Sequence, residues 1–353
     1  MSDAEQTDNF SPRLNTCLLG HEAAEQVLLN AWKNNTLHNS WLISGIEGVG
    51  KATLAYRFAR FLLAADESRR EIYTGLTIGA DNPVFKLIAG NAHPDFKVIE
   101  RDYIDTDRKK ILKALKGGEA MSDDELKSLK KSAVIRVDDV RTINEFLSRK
   151  SAGDGWRVVI VDSIDDMNTA SANAVLKILE EPPHKTVILL LSHNPGKLLP
   201  TIKSRCAKLH LQPLKPEIIA SLLRRYRPEL TEDKVKKLSG LASGSIGKAL
   251  NYADWDAVSR YESLNALVSA GKNFSLNSLL EFCNSAVTDE DSYFLNKEIV
   301  LKYIVDFIKS RPGNTEIIEA WDNAVKVFDE TERLNLDKKQ TLINIINNLC
   351  KRV

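Results

Sequence analysis

Gly45-Ile46-Glu47-Gly48-Val49-Gly50-Lys51-Ala52-Thr53 holds the residue types that bind a chain of phosphates. Glycines let backbone N–H groups close around phosphate oxygens, the start of a following helix adds positive potential, and Lys51 can reach the outer phosphates. The G-x-x-x-x-G-K-[ST] pattern is broken at one place. Ala52 stands where a hydroxyl would hold magnesium, and Thr53 follows about 100° further round the helix. A second element of the same chemistry is Val158-Val159-Ile160-Val161-Asp162, an apolar run ending in a carboxylate that could hold magnesium through water. The residue after it is Ser163, which cannot act as a base near neutral pH, so hydrolysis is expected to be severely impaired even where nucleotide binds. Asp165 and Asp166 could substitute on composition alone, but Ser163-Ile164-Asp165-Asp166 reads more simply as a loop and helix cap. In Thr201-Ile202-Lys203-Ser204-Arg205-Cys206, Arg205 could project a planar guanidinium toward a phosphate. The plainer readings are a glycine turn that merely joins strand to helix, and a surface arginine in an ion pair.

These groups need rigid supports, and the apolar patterning supplies them. Runs at Trp41 to Ser44, Phe96 to Ile99, Arg157 to Asp162, Thr186 to Leu191 and Cys206 to Leu211 do not alternate and are separated by helical patterns. That predicts strands buried on both faces of a mostly parallel, five-stranded sheet, an α/β domain. The phosphate loop is followed by an apolar stripe, Leu54, Phe58, Phe61, Leu62 and Ala65, which predicts a helix over 51–65. A second helix is expected over 171–181, stopped by Pro182-Pro183. After Pro213 to Pro216 the strand-like runs cease and the rest reads as helix. Residues 105–131 are rich in charge and are expected as a mobile surface excursion that adds little core.

Composition excludes several classes. The 353 residues carry 49 Lys and Arg against 48 Asp and Glu, a formal charge of +1, so any contact with nucleic acid must be a local patch. Basic runs at Arg224 to Arg227 and Lys234 to Lys237 are candidates, though such helical faces are more often solvated surface. The four cysteines, Cys17, Cys206, Cys283 and Cys350, stand far apart, which fits a reducing cytoplasm and offers no zinc site. No apolar run is long enough for a membrane span, and the first residues lack a secretory pattern.

The order of GIEGVGKAT, VVIVDSIDDM, NAVLKILEEPP, LLLSHNPGKLLPTIKSRC and GLASGSIGKAL resembles the AAA+ clamp-loader family. Within it the likeness is greatest to the delta-prime subunits of bacterial DNA polymerase III, from His21-Glu22 to about Leu250. The resemblance implies a RecA-like AAA+ domain over 1–212, a small helical lid over 213–253 and a helical collar over 254–353 that joins subunits into an open ring. It makes Gly45, Gly48, Gly50, Lys51 and Thr53 the P-loop, with Ala52 its departure, and Asp162 the acidic-strand residue. It puts His193, beside Ser192, at the sensor-one position, Lys248 at the basic sensor-two position, and Arg205 at the arginine-finger position, acting in trans on a neighbour's ATP. Many relatives carry a cysteine zinc cluster after the P-loop helix; residues 61–100 have no cysteine, so zinc is not carried over. Ala52 and Ser163 argue for the delta-prime role over an active gamma or tau subunit. ATP, with magnesium, is the cofactor the resemblance implies, and the implied partners are gamma/tau and delta subunits in a hetero-pentamer, with the sliding clamp and primer-template DNA. The competing readings are a self-sufficient AAA+ ATPase, either gamma-like or a DNA-remodelling motor, and a P-loop kinase, which the lack of a second substrate motif disfavours.

Overall fold

A computed structural model describes residues 11–117, 129–149, 151, 155–311 and 313–352. The chain divides into two compact units, Met1–Ile218 and Ile219–Val353. In the first, five strands form one sheet: β1 (Ser40–Ser44), β2 (Phe96–Glu100), β3 (Arg157–Asp162), β4 (Thr186–Ser192) and β5 (Ala207–His210). Their order is β2-β3-β4-β1-β5 and every pairing is parallel. The helices of this unit are α1 (Glu22–Lys33), α2 (Lys51–Ala64), α3 (Pro83–Ala89), α4 (Asp105–Gly117), α5 (Val137–Ser148), α6 (Thr169–Glu180) and α7 (Pro200–Lys203). A further helix, α8 (Pro216–Tyr226), runs across the division between units.

Both faces of the sheet are covered, which is why its central strands read as unbroken apolar runs. Leu42, Val159, Val161, Ile188 and Leu190 point into a cluster with Val140, Ile143 and Leu147 of α5 and Val175, Ile178 and Leu179 of α6. The alternate positions Val158, Ile160, Leu189 and Leu191 are equally buried, and α2 packs against β3 and β4. Because α2 is enclosed, even its Arg57 and Arg60 are buried. The parallel register brings strand ends together: Ser44 pairs with Ser192, and Asp162 lies opposite Leu191. Loops leaving the carboxyl ends of β1, β3 and β4 therefore meet on one edge.

The charged segment expected as an excursion is partly built. Residues 105–117 form α4, and Asp107 fixes it: its Oδ1 accepts from Lys110 Nζ at 2.8 Å and its Oδ2 from the Lys130 backbone N–H at 2.9 Å. Tyr103 and Lys131 pair as an antiparallel bridge, so the two flanks are held beside each other. Leu112 of this helix is half exposed. Residues 118–128 lie outside the described residues.

The second unit is helical throughout: α9 (Glu232–Leu241), α10 (Ile246–Asp254), α11 (Ala257–Ser269), α12 (Leu276–Ser285), α13 (Glu290–Ser310), α14 (Thr315–Leu334) and α15 (Lys338–Arg352). In α14 the buried residues Ile317, Ala320, Ala324, Phe328 and Thr331 recur at spacings of three and four, one stripe that packs on α13 and α15. Asn335 ends α14 in the left-handed conformation, φ +51°, where asparagine is tolerated.

Candidate nucleotide site and trans-acting arginine

Gly45 leaves β1 with φ +152°, and a Cβ there would lie 2.7 Å from the Leu211 carbonyl oxygen, so only glycine fits. Its N–H donates to Ser192 O at 3.2 Å, tying the loop to the end of β4. Gly50, φ +114°, begins α2 without a side-chain cap, and no acidic residue sits in the first turn. The uncapped N–H groups and the cradle of small residues suit polyphosphate oxygens. Lys51, only 8% exposed, donates to Gly45 O at 2.8 Å and Ile46 O at 2.9 Å. Burial lowers its pKa, opposed by the nearby carboxylates of Asp162, Glu47 and Asp165. The residues thus fit the triphosphate of ATP, whereas Ala52 supplies no oxygen for magnesium.

Asp162 closes β3 on the same edge. Burial raises its pKa; Lys51 and His193 pull it down, and Glu100 and Asp166 push it up. Asp165, the candidate substitute base, is committed elsewhere. Its Oδ1 accepts from Ser192 Oγ at 3.0 Å and from the Asn194 N–H at 3.2 Å, and its Oδ2 accepts from the His193 N–H at 2.7 Å. Ser163 Oγ is a weaker fourth donor at 3.4 Å. Asp166 lies 3.3 Å from Arg101 Nε. His193 Nδ1 lies 3.3 Å from Asp165 Oδ2 and 3.5 Å from Ser163 Oγ, so the sensor-one candidate and the residue standing for the base are neighbours. Beside them opens a cleft of about 260 Å³ lined by Asp165, Asn168, His193, Lys197 and Ile202 among others.

Arg205 lies two residues beyond α7, where Nη2 donates to Glu180 Oε1 at 2.8 Å and Nη1 to Thr201 O at 3.0 Å. Lys248 belongs to the second unit. There its Nζ donates to Glu298 Oε1 at 2.6 Å, and Tyr252 donates to the other oxygen at 3.0 Å. Four residues of that unit's basic runs are matched by acids: Arg224 with Glu232, Arg227 with Asp254, Lys234 with Asp256, and Lys237 with Asp233 and Glu262. That favours the solvated-surface reading for them.

The roles of three residues were not read from the sequence, although His21 was noted there as the start of the family likeness. His21 Nε2 lies 2.9 Å from Val49 O, bracing the P-loop from outside, and burial lowers its pKa. Arg60, buried and pushed down to about 10, donates to Arg13 O at 2.8 Å and Asn15 O at 2.6 Å; Arg57 holds Thr16 O and Glu25. Together they strap residues 13–16 onto α2. The one available signal was two arginines, three apart, in the otherwise apolar or aromatic stretch 54–64.

A protein-family model described as "DNA polymerase III, delta subunit" matches residues 20–215. The chain belongs to that family. Its relatives include the DNA polymerase III subunit delta-prime of Pseudomonas aeruginosa, 33% identical over 59% of this chain and 53% of that protein. The delta-prime subunit of Escherichia coli is 28% identical over 60% and 54%. The tau/gamma subunit of Haemophilus influenzae is 27% identical over 69% of this chain and 31% of its own length. The chain spans about half the length of these delta-prime relatives. The stretch matched by the delta-subunit family takes in the P-loop, Asp162, His193 and Arg205, while Lys248 falls outside it.

Proposed function

We propose that this chain is a delta-prime-type subunit of a DNA polymerase III clamp loader. It turns over little or no ATP at its own P-loop, and it lends Arg205 to ATP held by a neighbouring subunit. Gamma/tau and delta subunits would complete a hetero-pentamer that acts on the sliding clamp and primer-template DNA. In this reading 1–212 is the AAA+ domain, 213–253 the lid and 254–353 the collar, with Lys248 at the sensor-two position.

The observation that carries the reading is the commitment of Asp165. The carboxylate nearest Ser163 is occupied by the Ser192 hydroxyl and two backbone N–H groups at the end of β4. A carboxylate so engaged has its acceptor positions taken up, so it serves the loop and not an attacking water. The P-loop, by contrast, keeps its glycine geometry and Lys51, which suits nucleotide retention without cleavage.

The second reading is an active gamma-like ATPase, favoured by the intact pair of Lys51 and Asp162 and by similarity to tau/gamma subunits. Steady-state hydrolysis by the isolated chain separates the two. The expected rate, with or without primed DNA, equals that of Lys51→Ala. A turnover that Lys51→Ala abolishes would establish the gamma-like reading instead.

A further inference from the structure

Arg205 is not held by solvent alone. Its two contacts, Glu180 Oε1 and Thr201 O, take two of the five guanidinium N–H donors, and among the described residues the other three, Nε–H included, have no acceptor. The side chains are 35% and 50% exposed, and an exposed pair of this kind adds little to stability. What sets it apart is the rigidity of both backbones. Leu179, directly before Glu180, shares one buried cluster with Ile202 and Cys206, which flank Arg205. Glu180 is the last residue of α6, and Pro182-Pro183 keeps that helix from continuing. The end of a helix is also where a cation is favoured. A carboxylate and a main-chain carbonyl, each fixed by the core, thus grip one edge of an otherwise flexible side chain.

We propose that Glu180 is a positioning residue for Arg205. It holds the guanidinium extended between α6 and α7 with its remaining donors available to a phosphate brought by another subunit. The inference rests on the proposed trans role of Arg205. Fixing the donor before the phosphate arrives removes rotamer search from the reacting complex, and small misplacements of such a group are costly in rate. Oε1 acts as a hydrogen-bond acceptor here, so glutamine can reproduce the grip while alanine cannot.

The test is ATP hydrolysis by the reconstituted loader with clamp and primed DNA, with kcat and KM measured separately and assembly followed by mass. Glu180→Ala is expected to lower kcat of the affected site about tenfold, with KM and assembled mass unchanged. Glu180→Gln is expected to stay close to the parent. Glu180→Ala added to Arg205→Ala is expected to change nothing further. If Arg205→Ala leaves the rate untouched, the finger reading itself falls. If Arg205→Ala slows the complex but Glu180→Ala does not, or acts equally in both backgrounds, only the positioning role is overturned. Faster turnover in both Glu180 variants would make the carboxylate a competitor of the phosphate and would likewise overturn it.

Discussion

At the residue scale the site is built on buried charge that the fold tolerates poorly. Asp162 is desolvated, and Lys51 only partly compensates. Its carboxyl is raised above the ordinary 3.8, so the folded chain binds that proton more tightly than the unfolded chain does. Stability from the neutral form is therefore complete below 3.8 and is lost as pH rises through the folded value. Asp162→Asn should stabilise the protein at neutral pH by about 1 kcal/mol, and the gain should shrink to nothing as pH falls to the ordinary carboxyl range. Urea unfolding of both proteins across that range measures it; a variant less stable than the parent at neutral pH would contradict the assignment. Lys51 and Asp162 could be read from the sequence because a motif fixes their neighbours. Glu180 could not, because its partner is 25 residues away and nothing local announces the pairing.

At the element scale the loops at the carboxyl edge are stapled to the ends of neighbouring strands. Asp165 joins the turn after β3 to the end of β4 through three donors, and its side chain is nearly buried. Asp165→Ala would leave two backbone N–H groups and the Ser192 hydroxyl without their acceptor, and should cost about 2–3 kcal/mol. A chemical-denaturation midpoint unchanged by the substitution would contradict that role. The three central strands were legible because a sheet covered on both faces demands apolar residues there at nearly every position, and α2 because its stripe is strong. The parallel direction was legible too, but strand order and the residue-to-residue register were not, since pairing depends on contacts between distant segments. Helix α4 was missed for a different reason. Its charges look like a solvated coil, and the Asp107 ties to Lys110 and Lys130 that organise it span a gap no periodicity reveals. The arginine strap was hidden in the same way, because Arg57 and Arg60 serve main-chain carbonyls about 40 or more residues away.

At the scale of the whole molecule, the candidate phosphate loop, Asp162, His193 and Arg205 all belong to the first unit, and the second unit is helical. In the proposed reading the groups for holding phosphate gather on one edge of the sheet, and the groups for cleaving it are incomplete there. The guanidinium that could assist cleavage is bound at the ends of α6 and α7. Lys248 is occupied by Glu298 within the helical unit, a pairing that links α10 to α13. The proposed function makes this molecule one member of an assembly in which Arg205 completes a neighbour's site. The most direct measurement is the ATPase rate of the reconstituted loader containing Arg205→Ala, compared with the parent complex at equal assembly. The expected result is a loss of about 10³-fold at one site, with nucleotide binding by the isolated variant unchanged. A complex that hydrolyses ATP and loads the clamp at the parental rate with that guanidinium removed would contradict the central claim.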